Sequence, residues 1–102
     1  MVCSKCGKEL EDGEGGARVA SISGSVMGDE YIDSFYFCSD CEVYTKEAYR
    51  DSFSGSDSSS VVGPISKEEG DEKVKLIREC DTPWNKRCRC KAHREYFGSW
   101  LD

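Results

Sequence analysis

Apolar and polar positions change rhythm several times along this chain. After an opening Cys3-Ser-Lys-Cys6-Gly7-Lys8 and a turn-rich Asp12-Gly-Glu-Gly-Gly16 come two runs, residues 17–23 and 31–37, rich in β-branched and aromatic types. Such runs read as strands. Gly24 and Gly28 lie between them, so an antiparallel hairpin with a loose tip is expected. Next comes Cys38-Ser39-Asp40-Cys41, where Ser39 followed three residues on by Glu42 has the form of a helix capping box. Cys41, Tyr44 and Ala48 then recur at helical spacing, so the pattern predicts a helix over residues 42–50.

Residues 54–64 are Ser-rich and close with Pro64, the composition of a flexible linker. A second capping box, Ser66 with Glu69, predicts a helix running to about Glu79, with Val74 and Ile77 as its apolar stripe and Gly70 weakening its first turns. Cys80 ends that helix. The remainder, to Asp102, is a dense mixture of cysteine, basic and aromatic residues.

Composition says what must hold these elements together. Leu, Ile, Val and Phe number 18 of the 102 residues, too few for a large apolar core. A small domain in that position normally relies on disulfides or metal. The N-terminus shows no secretory pattern and no segment has the length of a membrane span, so a cytoplasmic location without membrane contact is expected. In that compartment seven paired and clustered cysteines point to metal rather than to disulfides.

The cysteines fall into two sets. Cys3-x2-Cys6 and Cys38-x2-Cys41 make a four-cysteine group, each pair spaced so that one tight turn aims two sulfurs at one ion. Gly7 is free to take positive φ and so turn backbone amides toward the thiolates. Cys80, Cys88, Cys90 and His93 make a second group of three cysteines and one histidine within fourteen residues. Cys90 and His93 would share a face if a helix begins there.

Residues 1–53 resemble the treble-clef zinc fingers, a group that overlaps loosely with zinc ribbons. The resemblance rests on Cys3, Cys6, Gly7, Cys38, Cys41 and the capped helix expected after them. It implies a zinc ion and a knuckle–hairpin–helix fold and leaves the function open. Residues 65–102 match no family pattern. The expected fold class is therefore α+β: a zinc-stapled treble-clef module over 1–53, a linker over 54–64, and a short helical zinc-binding segment over 65–102. An interleaved arrangement like that of RING fingers would instead pair Cys3 and Cys6 with Cys80 and Cys88, and Cys38 and Cys41 with Cys90 and His93. Sequential pairing closes shorter loops and is preferred. A red ferric tetrathiolate of the rubredoxin kind is the rival to zinc, weakened by Glu42 standing where a second knuckle glycine would be.

Both sets have four good ligands, which leaves no position for a reactive water, and His93 is the chain's one histidine. No catalytic residue, small-molecule substrate or further cofactor is expected. The chain reads as a non-catalytic protein with two structural Zn²⁺ ions, acting as a protein-interaction or scaffolding module, with Trp84, Tyr96, Phe97 and Trp100 either anchoring a contact or filling the core around the second ion. The net charge of −6 disfavours nucleic acid in general. Residues 84–102, however, carry Lys86, Arg87, Arg89, Lys91 and Arg94 against Glu95 and Asp102, so nucleic-acid binding by that segment stands second. A redox or metal-sensing switch at Cys88 and Cys90, whose thiols lie among cations, stands third.

Overall fold

Two of the expected elements form and extend further than their apolar runs. In the computed structural model, which describes residues 2–10, 18–52 and 55–98, β1 (Arg18–Val26) and β2 (Asp29–Cys38) pair antiparallel. Their tip is tight rather than loose. Met27 and Gly28 both take positive φ, 53° and 87°, the backbone of a two-residue turn whose twist suits a hairpin. The Asp12–Gly16 turn signal and residue 17 lie outside the described residues.

The helix expected over 42–50 is instead a strand, β3 (Val43–Asp51), paired along its whole length with β2. Glu42 has φ of 53°, which no helical first turn tolerates, and its amide donates to the Cys38 carbonyl at 2.8 Å. The apparent capping box is thus part of the tight turn that carries Cys38 and Cys41. Beyond it Val43, Tyr44, Thr45 and Tyr49 favour a pleated surface, and β2 supplies their hydrogen bonds. Without that helix the treble-clef arrangement is not completed within residues 1–53.

The Ser-rich stretch read as a linker is also a strand over most of its length. β4 (Asp57–Ser66) pairs with β3, giving one sheet in the order β1-β2-β3-β4. Serine tolerates a strand when a neighbour supplies the ladder, a partner that composition alone does not reveal. Phe53 and Ser54 lie outside the described residues.

The second capping box does form. In α1 (Lys67–Arg78) the Ser66 hydroxyl accepts from the Glu69 amide at 3.2 Å, and Val74 and Ile77 are buried. They meet Ile22, Phe35 and Tyr44 from the sheet in the principal core, with Tyr96 and Phe97 of α2 (Lys91–Phe97) against its edge. Gly70 is there for room rather than flexibility: a Cβ on it would lie 2.0 Å from Cδ2 of the Tyr44 ring. A second, smaller core is built from Cys3, Leu10, Tyr36 and Cys38, so two metal-ligand candidates are also core residues. Among the described residues no helix is long and apolar enough to cross a membrane.

Candidate metal centres

The first set is assembled at one end of the sheet from two knuckles. Cys3 and Cys6 lie on the N-terminal turn, closed by hydrogen bonds from Cys3 N to the Lys8 carbonyl at 2.9 Å and from Gly7 N to the Cys3 carbonyl at 3.0 Å. Gly7 takes the left-handed backbone expected of it, φ 76°. Cys38 and Cys41 lie on the β2–β3 turn, where Glu42 occupies the equivalent left-handed position. The first knuckle is held to the sheet by Thr45, fully buried, whose hydroxyl oxygen accepts from the Ser4 amide at 2.9 Å and pairs with the Ser4 hydroxyl at 2.8 Å.

All four sulfurs lie within 4.8 Å of one another. Cys6 and Cys38 are 3.8 Å apart. A tetrahedron with metal–sulfur bonds of about 2.3 Å has edges of about 3.8 Å, whereas a disulfide needs sulfurs about 2.05 Å apart. The residues therefore fit a tetrahedral tetrathiolate ion. Cys3 and Cys38 are buried, Cys41 is half-buried and Cys6 is exposed.

The second set is local in sequence and borrows its support from the sheet. Cys80 follows α1, Cys88 and Cys90 lie in the turns after it, and Cys90 caps α2, its sulfur accepting from the His93 amide at 3.4 Å. Cys80 and Cys88 are 3.7 Å apart, and His93 Nδ1 lies 3.2 Å from the Cys80 sulfur and 3.4 Å from that of Cys90. These four atoms also fall within 4.8 Å of one another. His93 is fully buried, and its Nε2–H donates to the Ser23 carbonyl at 2.9 Å. That bond fixes the ring and leaves the Nδ1 lone pair facing the sulfurs, the arrangement a ligating histidine needs.

The groups pair sequentially, not in the interleaved manner. Ser23 sits opposite Ile32 on β2, six residues from Cys38, which puts the clusters roughly 20 Å apart at about 3.3 Å per strand residue. The Ser23 carbonyl could not have been found from sequence, because a backbone acceptor leaves no side-chain signal. Thr45 is equally silent.

Without an ion the thiols of each set do not titrate alike. Burial pushes Cys3 up, yet hydrogen bonds from the Cys6 and Lys5 amides and from the Cys6 and Cys38 thiols outweigh it and hold Cys3 at about 6. Cys41 is pushed up to about 12, first by its hydrogen bond with Cys6 and then by burial. In the second set the Thr82 hydroxyl and then the Cys90 amide bring Cys88 down to about 7, while burial leads the rise of Cys80 to about 11. Each cluster thus offers one thiolate near neutral pH to capture a cation, and holds another proton that an arriving cation must displace.

The aromatic and basic residues of the C-terminal segment divide. Tyr96 and Phe97 pack into the principal core, and the Tyr96 hydroxyl donates to Asp33 at 2.6 Å. Trp84 is 72% exposed, at the rim of a groove of about 300 Å³ lined by Tyr31, Ile32 and Lys86 among others. Trp100 and Asp102 lie outside the described residues. Lys86 is paired with Glu30, Lys91 lies 3.7 Å from Glu95, and Arg89 donates to the carbonyls of Lys86 and Cys88. No family model, no curated protein and no solved structure matches this chain.

Proposed function

We propose that this chain is a non-catalytic protein in which two structural zinc ions brace a small sheet that serves as a protein-interaction module. The observation that carries the reading is the closure of both donor sets. Each offers four soft or borderline ligands at tetrahedral spacing, without a carboxylate among them, so no coordination position is left for a reactive water. Zinc suits both sets, whereas iron suits only the tetrathiolate. Two knuckles over an antiparallel sheet fit the zinc-ribbon side of the resemblance better than the treble-clef side.

A protein partner is favoured over nucleic acid because three of the five cations in the basic segment are already committed within the chain, to Glu30, to Glu95 and to backbone carbonyls. Among the described residues of the C-terminal segment Trp84 is the large aromatic left for a partner, and an exposed tryptophan at the rim of a groove is suited to anchor a protein contact.

X-ray absorption at the zinc edge tests the first part. A shell of sulfur with a minor nitrogen contribution is expected; an oxygen ligand at full occupancy would contradict closed sites. For the second part, a photo-crosslinking residue placed at Trp84 in cells should give discrete protein adducts absent from the same substitution at exposed Glu72. Adducts with RNA alone would favour the nucleic-acid reading.

A further inference from the structure

The sheet has two edges, and the chain treats them in opposite ways. The β1 edge is covered by the C-terminal segment: the Ser23 amide donates to the Pro83 carbonyl at 2.8 Å, His93 Nε2 donates to the Ser23 carbonyl, and Arg78 donates to the Val19 carbonyl at 3.3 Å. Among the described residues the β4 edge is bare. β4 pairs with β3 on one side, and among the described residues no element pairs with it on the other. Nine of its ten residues are exposed, including Val61 at 59% and Val62 at 43%.

A bare edge is normally protected by lysine, by proline within the strand or by a bulge that turns it away. Here a chain that is one-third charged has no charged residue from Ser58 to Ser66. Pro64, which has no N–H, and the irregularity in the ladder between Tyr44↔Ile65 and Lys46↔Val62, where β4 carries one residue more than β3, limit the edge at its C-terminal end and leave residues 57–62 able to pair on their outer side.

We infer that β4 is a homotypic docking strand, through which two copies of this chain pair antiparallel about a two-fold axis at Ser60 to form one continuous eight-stranded sheet. Self-complementarity selects a second copy as the occupant. About that axis Ser58 meets Val62 and Ser59 meets Val61, so no like charges face each other and each exposed valine of β4 lies opposite a serine. A charged partner strand would find no complementary charge between Ser58 and Ser66, whereas a second copy presents the same uncharged row and keeps its acidic groups away from the seam. β4 carries none of the eight candidate ligands, so the inference goes beyond the zinc-braced reading and stands apart from it.

Sedimentation equilibrium of the full zinc-loaded chain, from about 5 to about 500 μM, spans the range expected of a short edge-to-edge contact. The weight-average mass should climb from 11.4 kDa toward twice that value. S60K or S60E, at an exposed position, should retain the wild-type melt and metal content. Either should weaken association about tenfold or more by placing like charges across the axis. An equimolar mixture of the two should restore it, a result that a folding defect would not give. A single-chain mass at every concentration would overturn the inference. So would association that S60K leaves intact, or a mixture that fails to recover.

Discussion

The two clusters reach the same ligand count by opposite routes. The first draws its sulfurs from turns 31 residues apart in sequence, and two of its cysteines, Cys3 and Cys38, double as core residues beside Leu10 and Tyr36. The second draws its donors from fourteen consecutive residues, and what it takes from afar is one carbonyl, that of Ser23 on β1. An ion in the first cluster closes the chain's longest-range staple. One in the second compacts a segment and docks it on an edge that already exists. The contrast teaches that equal coordination need not mean equal weight in folding: an ion in the first cluster would act on whether there is a sheet, one in the second on what covers it.

Single-ligand substitutions give the widest separation between the clusters. C38S should abolish cooperative unfolding, because structural zinc contributes on the order of 10–16 kcal/mol in small metal domains, comparable to or above a whole domain's stability. C90S should lose one ion yet keep slow amide exchange in β2 and β3, which hydrogen exchange followed by mass spectrometry will read. Global loss of protection in C90S would erase the distinction.

Next in size comes the seat of the second cluster on the sheet. A Cβ at Gly24 would fall 2.5 Å from Cε2 of Phe97. G24A should destabilise by about 1–3 kcal/mol, the usual cost of overpacking, and weaken zinc at the second cluster alone. Competition with a chromogenic chelator separates the two affinities; equal weakening at both would contradict it. T45V makes the matching test at the first cluster. It removes the buried oxygen that accepts from the Ser4 amide, at a cost of about 1–3 kcal/mol in a chemical melt, with the second cluster unaffected.

The smallest effect should be a gain. Glu42 sits in the left-handed region at φ 53°, where a side chain costs roughly 1–2 kcal/mol and glycine costs less. E42G should therefore raise the melting temperature by a few degrees, about 1 kcal/mol in a domain of this size. A lower melting temperature would mean that Glu42 makes a stabilising contact that outweighs the strain.

The same contrast explains what could be read ahead of the structure. The two candidate donor groups were legible because cysteine spacing is local chemistry, and α1 because its cap and its Val74–Ile77 stripe are local as well. β3 and β4 were not. Ser39-x-x-Glu42 satisfies a local helix rule, but a knuckle turn and nine pairings to β2 override it; the serines of β4 carry no strand signal until β3 is beside them. Gly24 and Gly70, which suggest loosening when met in sequence, are positions where Phe97 and Tyr44 approach too closely for any side chain. Long-range partners decided each of these cases.

The most direct test of the account is native mass spectrometry of the purified chain alongside its circular dichroism melt, before and after complete metal removal. Two zinc ions per chain are expected, with loss of the cooperative melt once both are gone. A chain that carries no metal and still unfolds cooperatively would contradict the central claim that bound cations take the place of a large apolar core.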